Sequence, residues 1–245
     1  MKKLHFYILA FVALCVTACG EEAPKNNLPE FKTFEYERYE DGKYNITISY
    51  EYINNTSADR AYAIIDSMNY HTTFGEYALD VPDLSLTAVL MADDTLASMD
   101  DYNIDDMQCE MHLYQVASLV RDNSVVCYDT VMETNFGGIY PIVSHTYECY
   151  DLATGNAYDF SYLTEGEWVE QLYAALFEKL TAQYGTDILF SSPETTHIPD
   201  AIYLTDGGLV FQYQPYEIGT AEMGSASVEL SDEELTEIGA PLVWE

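Results

Sequence analysis

The stretch YNITISYEY, residues 44–52, decides the fold class. Apolar or aromatic side chains alternate in it with polar ones, and a period of two is typical of a β-strand that buries one face. Phe34 and Tyr36 predict a partner strand before it, and Asp41-Gly42 predicts the turn between them. The folded part of the chain is therefore expected to begin with a β-hairpin.

Helical spacing replaces the strand pattern after this hairpin. Ser57 is the predicted N-cap of a first helix, because a serine hydroxyl accepts a hydrogen bond from the free amides of a first turn. The apolar face of this helix comprises Ala61, Ile64, Ile65 and Met68. A second helix is predicted after Pro82, which a first turn tolerates. Its apolar positions are Leu84, Ala88, Met91 and Met99.

The middle of the chain is rich in strand signals. Successive strands are predicted at residues 110–120, 124–134 and 141–151. Asp122-Asn123 and Gly137-Gly138 are typical turn residues, and they separate these strands.

A helix is predicted next, with Thr164 and Glu167 as its capping box and Gly185 at its end. Its apolar positions are Trp168, Leu172, Leu176 and Leu180. A hairpin about Asp206-Gly207-Gly208 follows. A last strand, at about 226–230, leads into a helix capped by Ser231 with Glu234 at its third position.

These signals predict an α+β fold in which an antiparallel or mixed sheet carries helices packed on one side. We divide the folded part into an N-terminal α+β subdomain, residues 31–135, and a C-terminal α+β subdomain, residues 136–245.

The N-terminus predicts export and lipidation. Lys2 and Lys3 precede an apolar run, residues 6–16, which is too short to remain as a membrane-spanning helix. The residues Val16-Thr17-Ala18-Cys19 form a lipobox, so residues 1–18 are a predicted lipoprotein signal peptide and Cys19 is the lipid attachment site. A signal cut after an A-x-A site, the alternative, leaves Cys19 unexplained.

Residues 19–30 are small, polar and proline-bearing, and we interpret them as a tether. The protein is thus expected in the cell envelope, lipid-anchored to the outer membrane. Glu21 and Glu22 resemble a surface-export signal of some Gram-negative lipoproteins. Surface exposure and periplasmic retention both remain open.

The formal net charge of -33 excludes nucleic acid as a partner, because phosphates are repelled. Cleavage before Cys19 removes Lys2 and Lys3 and no acid, which makes the mature charge -35. Such a charge attracts cationic partners, although high acidity also simply keeps a secreted protein soluble. An apolar fraction of 48% and 22 tyrosines argue against disorder.

Cysteine usage is sparse after the lipidation site. Cys109, Cys127 and Cys149 are an odd set and do not make a disulfide framework. Cys127 and Cys149 lie at equal distances from Gly137-Gly138, so a hairpin there would let them face each other. Buried free thiols are the favoured interpretation, and a bridge is the alternative.

Catalytic and metal-binding motifs are missing from the sequence. It has no nucleophile elbow, zinc-protease helix or phosphate-binding glycine loop, and no cofactor is predicted. Cys109 and His112 are separated by two residues, as ligands of zinc sites often are, but the sequence has no second pair of ligands to complete a site. On a strand the two side chains would also point to opposite faces. The spacing of Asp101, Asn103 and Asp105 matches the start of a calcium-binding loop, but the later positions of that motif are not matched. A solvated acidic face is favoured there over weak divalent binding.

Two segments carry a family resemblance: the turn DLATG, residues 151–155, and IYLTDGGLVFQYQPYEIG, residues 202–219. They resemble the extracytoplasmic domain of unknown function (DUF3298/RsiV-like) shared by RsiV-type lysozyme-sensing anti-sigma factors and PdaC-type peptidoglycan deacetylases. The resemblance extends over about residues 34–238. Residues 220–224 depart from the family pattern, and no sigma-factor-binding segment or deacetylase domain is found. The resemblance therefore implies an α/β cell-envelope binding module, and neither activity is carried over.

We predict a binding or sensor lipoprotein for a cationic cell-wall-active protein such as lysozyme. Tyr213 and Tyr216 are the candidate ligand-binding residues, because tyrosine offers a large amphipathic contact surface. The competing interpretation is that Tyr216 and Ile218 pin their loop to the core. The alternative function is a glycan-modifying or hydrolytic enzyme, which would require two carboxylates in one pocket, at least one with a raised pKa.

Overall fold

The computed structural model describes residues 28–54, 59–101, 108–186, 189, 196–220 and 223–244. Its strands are β1 (Phe31–Glu40), β2 (Tyr44–Ile53), β3 (Cys109–Val120), β4 (Val125–Phe136), β5 (Ile142–Asp151), β6 (Ala201–Leu204), β7 (Gly208–Tyr213) and β8 (Ala226–Ser231). Its α-helices are α1 (Arg60–Phe74), α2 (Leu84–Asp101), α3 (Val169–Tyr184) and α4 (Asp232–Ile238). Short 3-10 turns span Gly75–Tyr77 and Ser161–Thr164.

The first five strands form one sheet in the order β1-β2-β3-β4-β5. Its pairs are antiparallel except β2 with β3, which run parallel and are joined through α1 and α2. The alternating residues Ile46, Ile48 and Tyr50 are fully buried, and they pack with Tyr70 and Phe74 of α1. The strand predicted from residues 44–52 and its hairpin partner are confirmed.

The last three strands form a separate antiparallel sheet in the order β6-β7-β8, against which α3 and α4 pack. Leu172, Leu176 and Leu180 of α3 are completely buried, as their spacing predicts. The α+β class is confirmed, with one mixed sheet of five strands and one antiparallel sheet of three. β5 lies beyond the predicted subdomain boundary at residue 135, yet it pairs with β4 along its length. The division into subdomains stays a prediction.

Helix caps were predicted with mixed success. Ser57 lies outside the described residues, and the side chain that caps α1 is Asp59, which accepts a hydrogen bond from Ala61 N at 2.9 Å. The capping box at Thr164 is wrong, because Thr164 ends a 3-10 turn and its hydroxyl donates to Ser161 O. The box of Ser231 and Glu234 at α4 is confirmed.

A disulfide joins Cys127 of β4 to Cys149 of β5, so the preference for free thiols at this pair is wrong. The two residues are direct cross-strand partners, and their Cα atoms are 4.1 Å apart. The symmetry of their spacing about Gly137-Gly138 is the sequence signal that pointed to this pair. Cys109 is a free, buried thiol.

Arg121, in the turn between β3 and β4, fastens the five-stranded sheet to the smaller one. Its guanidinium donates to both carboxylate oxygens of Asp232, at 2.5 and 2.9 Å, and to Gly208 O at 3.2 Å. Its backbone amide donates to Asp206 Oδ1 at 2.6 Å, and its guanidinium lies 5.3 Å from the centre of a Trp244 ring. One side chain therefore contacts β7, α4 and the C-terminal segment.

We expect Arg121→Ala to lower the free energy of unfolding by about 3 kcal/mol, because it leaves the shielded Asp232 carboxylate without its partner. Urea unfolding measures the change. Lys43→Ala removes a cation from a solvent-exposed pair with Glu40 and should leave the free energy of unfolding nearly unchanged, because water and salt screen such pairs. Equal losses of unfolding free energy in the two variants would show that the contacts of Arg121 contribute no more to stability than an exposed ion pair does.

Candidate functional site

The loop after β7, residues 214–219, is held against β5 by an amide side chain. Gln214 Oε1 accepts from His145 N at 2.8 Å, and Gln214 Nε2 donates to His145 O at 2.8 Å. This pair reproduces the hydrogen bonds that a neighbouring strand residue would make. The loop thereby begins from a fixed point on the larger sheet.

Glu217 closes the same loop from its other side. Its Oε1 lies 2.6 Å from His197 Nε2, and its Oε2 accepts from the backbone amide of Gln214 at 2.6 Å. Glu217 N donates in turn to Gln214 O at 3.1 Å. Ile218 is buried in the core. The loop is therefore fixed by polar contacts on two sides and by one apolar anchor.

Tyr216 stands at the tip of this loop with 55% of its surface exposed. Its φ of 68° lies in the left-handed region, which is costly for a bulky residue and is kept when surrounding contacts enforce it. Of the two residues predicted to pin the loop, Ile218 does so, whereas Tyr216 is turned outward. Such strained, exposed aromatic positions are typical of contact sites.

Tyr213 occupies a different environment. It is fully buried at the end of β7, its hydroxyl donates to His197 O at 2.8 Å, and burial raises its pKa. The two tyrosines selected from the sequence thus lie in the same segment, but Tyr216 alone of the pair presents a ring to solvent. Our functional proposal uses Tyr216.

The histidines beside the loop have structural contacts. His145 is half-buried, stacks on Tyr147 and lies with its Nε2 3.0 Å from Ser225 Oγ. Burial lowers the pKa of His145, so its ring is neutral at neutral pH. His145 and Tyr147 are two residues apart on β5, so their rings lie on the same face of the strand. The anchoring roles of Gln214 and Glu217 were not predicted, although these two polar residues lie on either side of Pro215-Tyr216.

The few cations of the chain are largely used inside the fold. Lys2, Lys3 and Lys25, three of the nine Lys and Arg residues, lie outside the described part. In that part, ion pairs join Arg38 to Asp93, Lys43 to Glu40, Arg121 to Asp232 and Lys179 to Glu234. Lys32 and Arg60 are left to offset all the other carboxylates. The surface is therefore an extended acidic field.

Carboxylates line two of the cavities. One cavity, of about 290 Å3, contains Asp66, whose pKa burial raises to about 6, together with Asp83. The other, of about 420 Å3, contains Glu148, whose pKa burial also raises, together with Asp159 and Asp200.

The second carboxylate is engaged elsewhere in both cavities. Asp83 accepts from Leu86 N at 3.0 Å, and Asp159 accepts from Ser161 N at 2.9 Å. These are local contacts of helix starts and turns. One carboxylate of each cavity is thus already engaged in a local backbone contact, whereas Asp200 of the second cavity is exposed.

Several candidates concern metals or the lipid. Cys19, and the failed calcium loop at Asn103 and Asp105, lie outside the described residues. His112 Nδ1 is 2.8 Å from Thr47 Oγ1, while Cys109 is buried on the opposite face of β3. Within the described ranges, no three His, Cys, Asp or Glu side chains are grouped as a metal site would require.

Among those residues there is also no helix both long and apolar enough to cross a membrane.

Comparison with known proteins connects this geometry to a family. Residues 163–233, from just before α3 to the start of α4, match the model of DUF3298, described as a protein of unknown function. The match spans 71 of the 245 residues. The matched segment includes the anchored loop with Tyr216. No curated protein matches the chain.

Solved structures extend the similarity to most of the fold. A DUF3298 family member from Bacteroides fragilis NCTC 9343 is similar with a TM-score of 0.69 and 16% identity, over 86% of this chain and 96% of that one. A DUF3298 family protein from Pseudomonas aeruginosa PAO1 is similar with a TM-score of 0.59 and 11% identity, over 85% and 93%. At these identities the likeness shows a shared fold.

We expect Tyr216→Gly to be more stable than Tyr216→Ala by about 1 kcal/mol, because glycine adopts a positive φ without a steric penalty. Urea unfolding of both variants measures the difference. Tyr39 is equally exposed, at 55%, but lies on the extended strand β1. There the order should reverse, with Tyr39→Gly less stable than Tyr39→Ala. The same order at both positions would contradict the left-handed backbone at Tyr216.

Proposed function

We propose that this protein is a binding or sensor module of the cell envelope that captures a cationic cell-wall-active protein. The observation that carries the proposal is the loop 214–219, which holds an exposed Tyr216 in a strained backbone conformation between two polar anchors. A rigid aromatic side chain gives a large contact area at a small cost in conformational entropy, which is why tyrosine is enriched among interface hot spots.

The charge of the molecule supports a basic partner. The net charge is -33, and four of the six described cations are paired with carboxylates of the same chain, so the surface attracts positive proteins over long distances. This attraction raises association rates and selects the sign of the partner. Close contacts such as those of Tyr216 then have to supply the affinity that remains when salt screens the charges.

Lysozyme is the partner we would test first. It is strongly basic, and the resemblance is to a domain that RsiV-type anti-sigma factors use to sense lysozyme. The DUF3298 match over residues 163–233 covers the part of the chain that presents Tyr216. The further proposal is that the protein does this as a lipoprotein, anchored to the outer membrane through Cys19.

We expect the lipid-free protein, residues 28–245, to bind lysozyme with an affinity that persists at about 0.3 M salt, above the physiological ionic strength. Tyr216→Ala should weaken this residual binding about tenfold, which corresponds to an ordinary hot-spot loss. Tyr39→Ala removes an equally exposed ring from the other sheet and should leave binding unchanged. Titration calorimetry across a salt series measures all three proteins. Binding that disappears by that salt concentration, or that any basic protein shares, would reduce the interaction to unspecific attraction.

The lipid anchor has its own test. We expect Cys19→Ser to release the protein from the envelope membrane fraction or to leave it as an unprocessed precursor, because two acyl chains supply most of the membrane affinity. Cys15→Ser, four residues earlier in the apolar run, should fractionate as wild type. Membrane association of the Cys19 variant as processed protein would refute lipidation at this residue.

A further inference from the structure

A cavity of about 290 Å3 lies between the β1–β2 hairpin, α1 and the start of α2. Its volume is at the lower limit for pockets that hold small molecules. Its lining includes Phe34, Tyr50, Tyr52, Asp66, Tyr70 and Asp83. Aromatic rings and two carboxylates thus line one small cavity. Its residues, 34–85, precede the segment that matches DUF3298 in the sequence.

The aromatic walls are fixed before any ligand arrives. Tyr50 and Tyr52 are stacked with their ring centres 6.0 Å apart, and Phe34 is the cross-strand partner of Tyr50. The Tyr50 hydroxyl accepts from Asn69 Nδ2 at 3.0 Å, and the Tyr70 hydroxyl accepts from Leu79 N at 3.0 Å. Because these polar tips already have protein partners, the rings do not need hydrogen bonds from a ligand.

Asp66 brings a carboxylate to these rings from α1. Its pKa is raised to about 6 because burial removes water from the charged form. In the described part of the chain, Asp66 belongs to no ion pair. A carboxylate that is ionised at neutral pH, partly desolvated and without a cation gains most from a positive ligand. Asp83, exposed at the edge of the cavity, adds a second negative charge.

We propose that this cavity binds the ammonium group of a small organic cation. Ring quadrupoles attract a cation within about 6 Å of a ring centre, and aromatic cages that recognise quaternary ammonium groups combine such rings with a negative charge. A neutral sugar or an anion would leave Asp66 uncompensated. The proposal is independent of the capture of a basic protein at Tyr216.

Choline and its uncharged carbon isostere, dimethylbutanol, are the probes. They share a shape and differ in charge, so calorimetry at about pH 7.5 separates cation recognition from simple apolar filling. We expect choline to bind at least about tenfold more tightly than the isostere. Asp66→Asn should reduce this preference at least several-fold, because only the attraction of the rings then remains, and Tyr52→Leu should weaken choline binding. Asp200→Asn removes an exposed carboxylate from a different cavity and should change nothing.

The affinity for choline should also fall as the pH drops below about 6, because protonation of Asp66 removes the charge that binds the cation. The titratable groups around Asp66 are Tyr50 and Tyr128, both neutral because burial raises the pKa of each, and Tyr52, Tyr70 and Asp83, which line the same cavity. In Asp66→Asn this dependence on pH should be absent. A choline affinity that stays constant between about pH 5 and pH 7.5 would contradict the role of Asp66.

Stability measurements keep these outcomes interpretable. The folded protein holds the Asp66 proton more tightly than the unfolded chain does, so ionisation at neutral pH costs stability. Asp66→Asn is therefore expected to melt at a higher temperature than wild type at about pH 7. Weaker choline binding by this variant then cannot be explained by unfolding.

Equal binding of choline and dimethylbutanol, or full choline affinity in the Asp66 variant, would overturn the proposal. Displacement of choline by lysozyme would overturn its assignment to a small ligand, whereas unchanged choline binding supports it.

Discussion

The contact of Arg121 with Asp232 and Gly208 is the constraint on which the arrangement of the two sheets depends. A strongly acidic chain has few cations with which to join its parts, and here one of them bridges a turn of the larger sheet to α4 and β7. The disulfide between Cys127 and Cys149 and the core around Leu204 and Phe211 lie behind this contact. The Arg121–Asp232 ion pair and the apolar core therefore act together to hold the two sheets, in a molecule whose net negative charge opposes compact folding.

The same junction positions the candidate binding loop. Because Gln214 binds both backbone groups of His145, the loop that follows β7 takes its position from β5 and not from its own sheet alone. Glu217 then ties the loop to His197. Tyr216 is thus presented by two elements far apart in the sequence, and its geometry depends on the packing of one sheet against the other.

Local patterns were sufficient to predict the hairpin around Asp41-Gly42, the buried face of α3 and the capping box of α4, because each depends on neighbours within a few residues. The parallel pairing of β2 with β3 could not be predicted, since no local signal specifies which distant strand completes a sheet. The disulfide was underestimated, because the register that brings Cys127 opposite Cys149 is a property of the folded pair. The candidate site was found only in part. Tyr216 was identified from its loop composition, whereas Asp66 acquires its properties from burial in the folded protein, which the helical pattern of α1 does not show.

The parallel pair also has a consequence for how the molecule forms. Antiparallel neighbours such as β1–β2, β3–β4 and β4–β5 close short loops, and such contacts form quickly. The β2–β3 pair joins residues that are 65 positions apart, as between Thr47 and His112, so its loop closure costs more entropy and delays the contact. We therefore expect the β2–β3 pair to form late in folding, after the β1–β2 hairpin and the three-stranded piece β3–β4–β5, because α1 and α2 must first bring the two distant strands together.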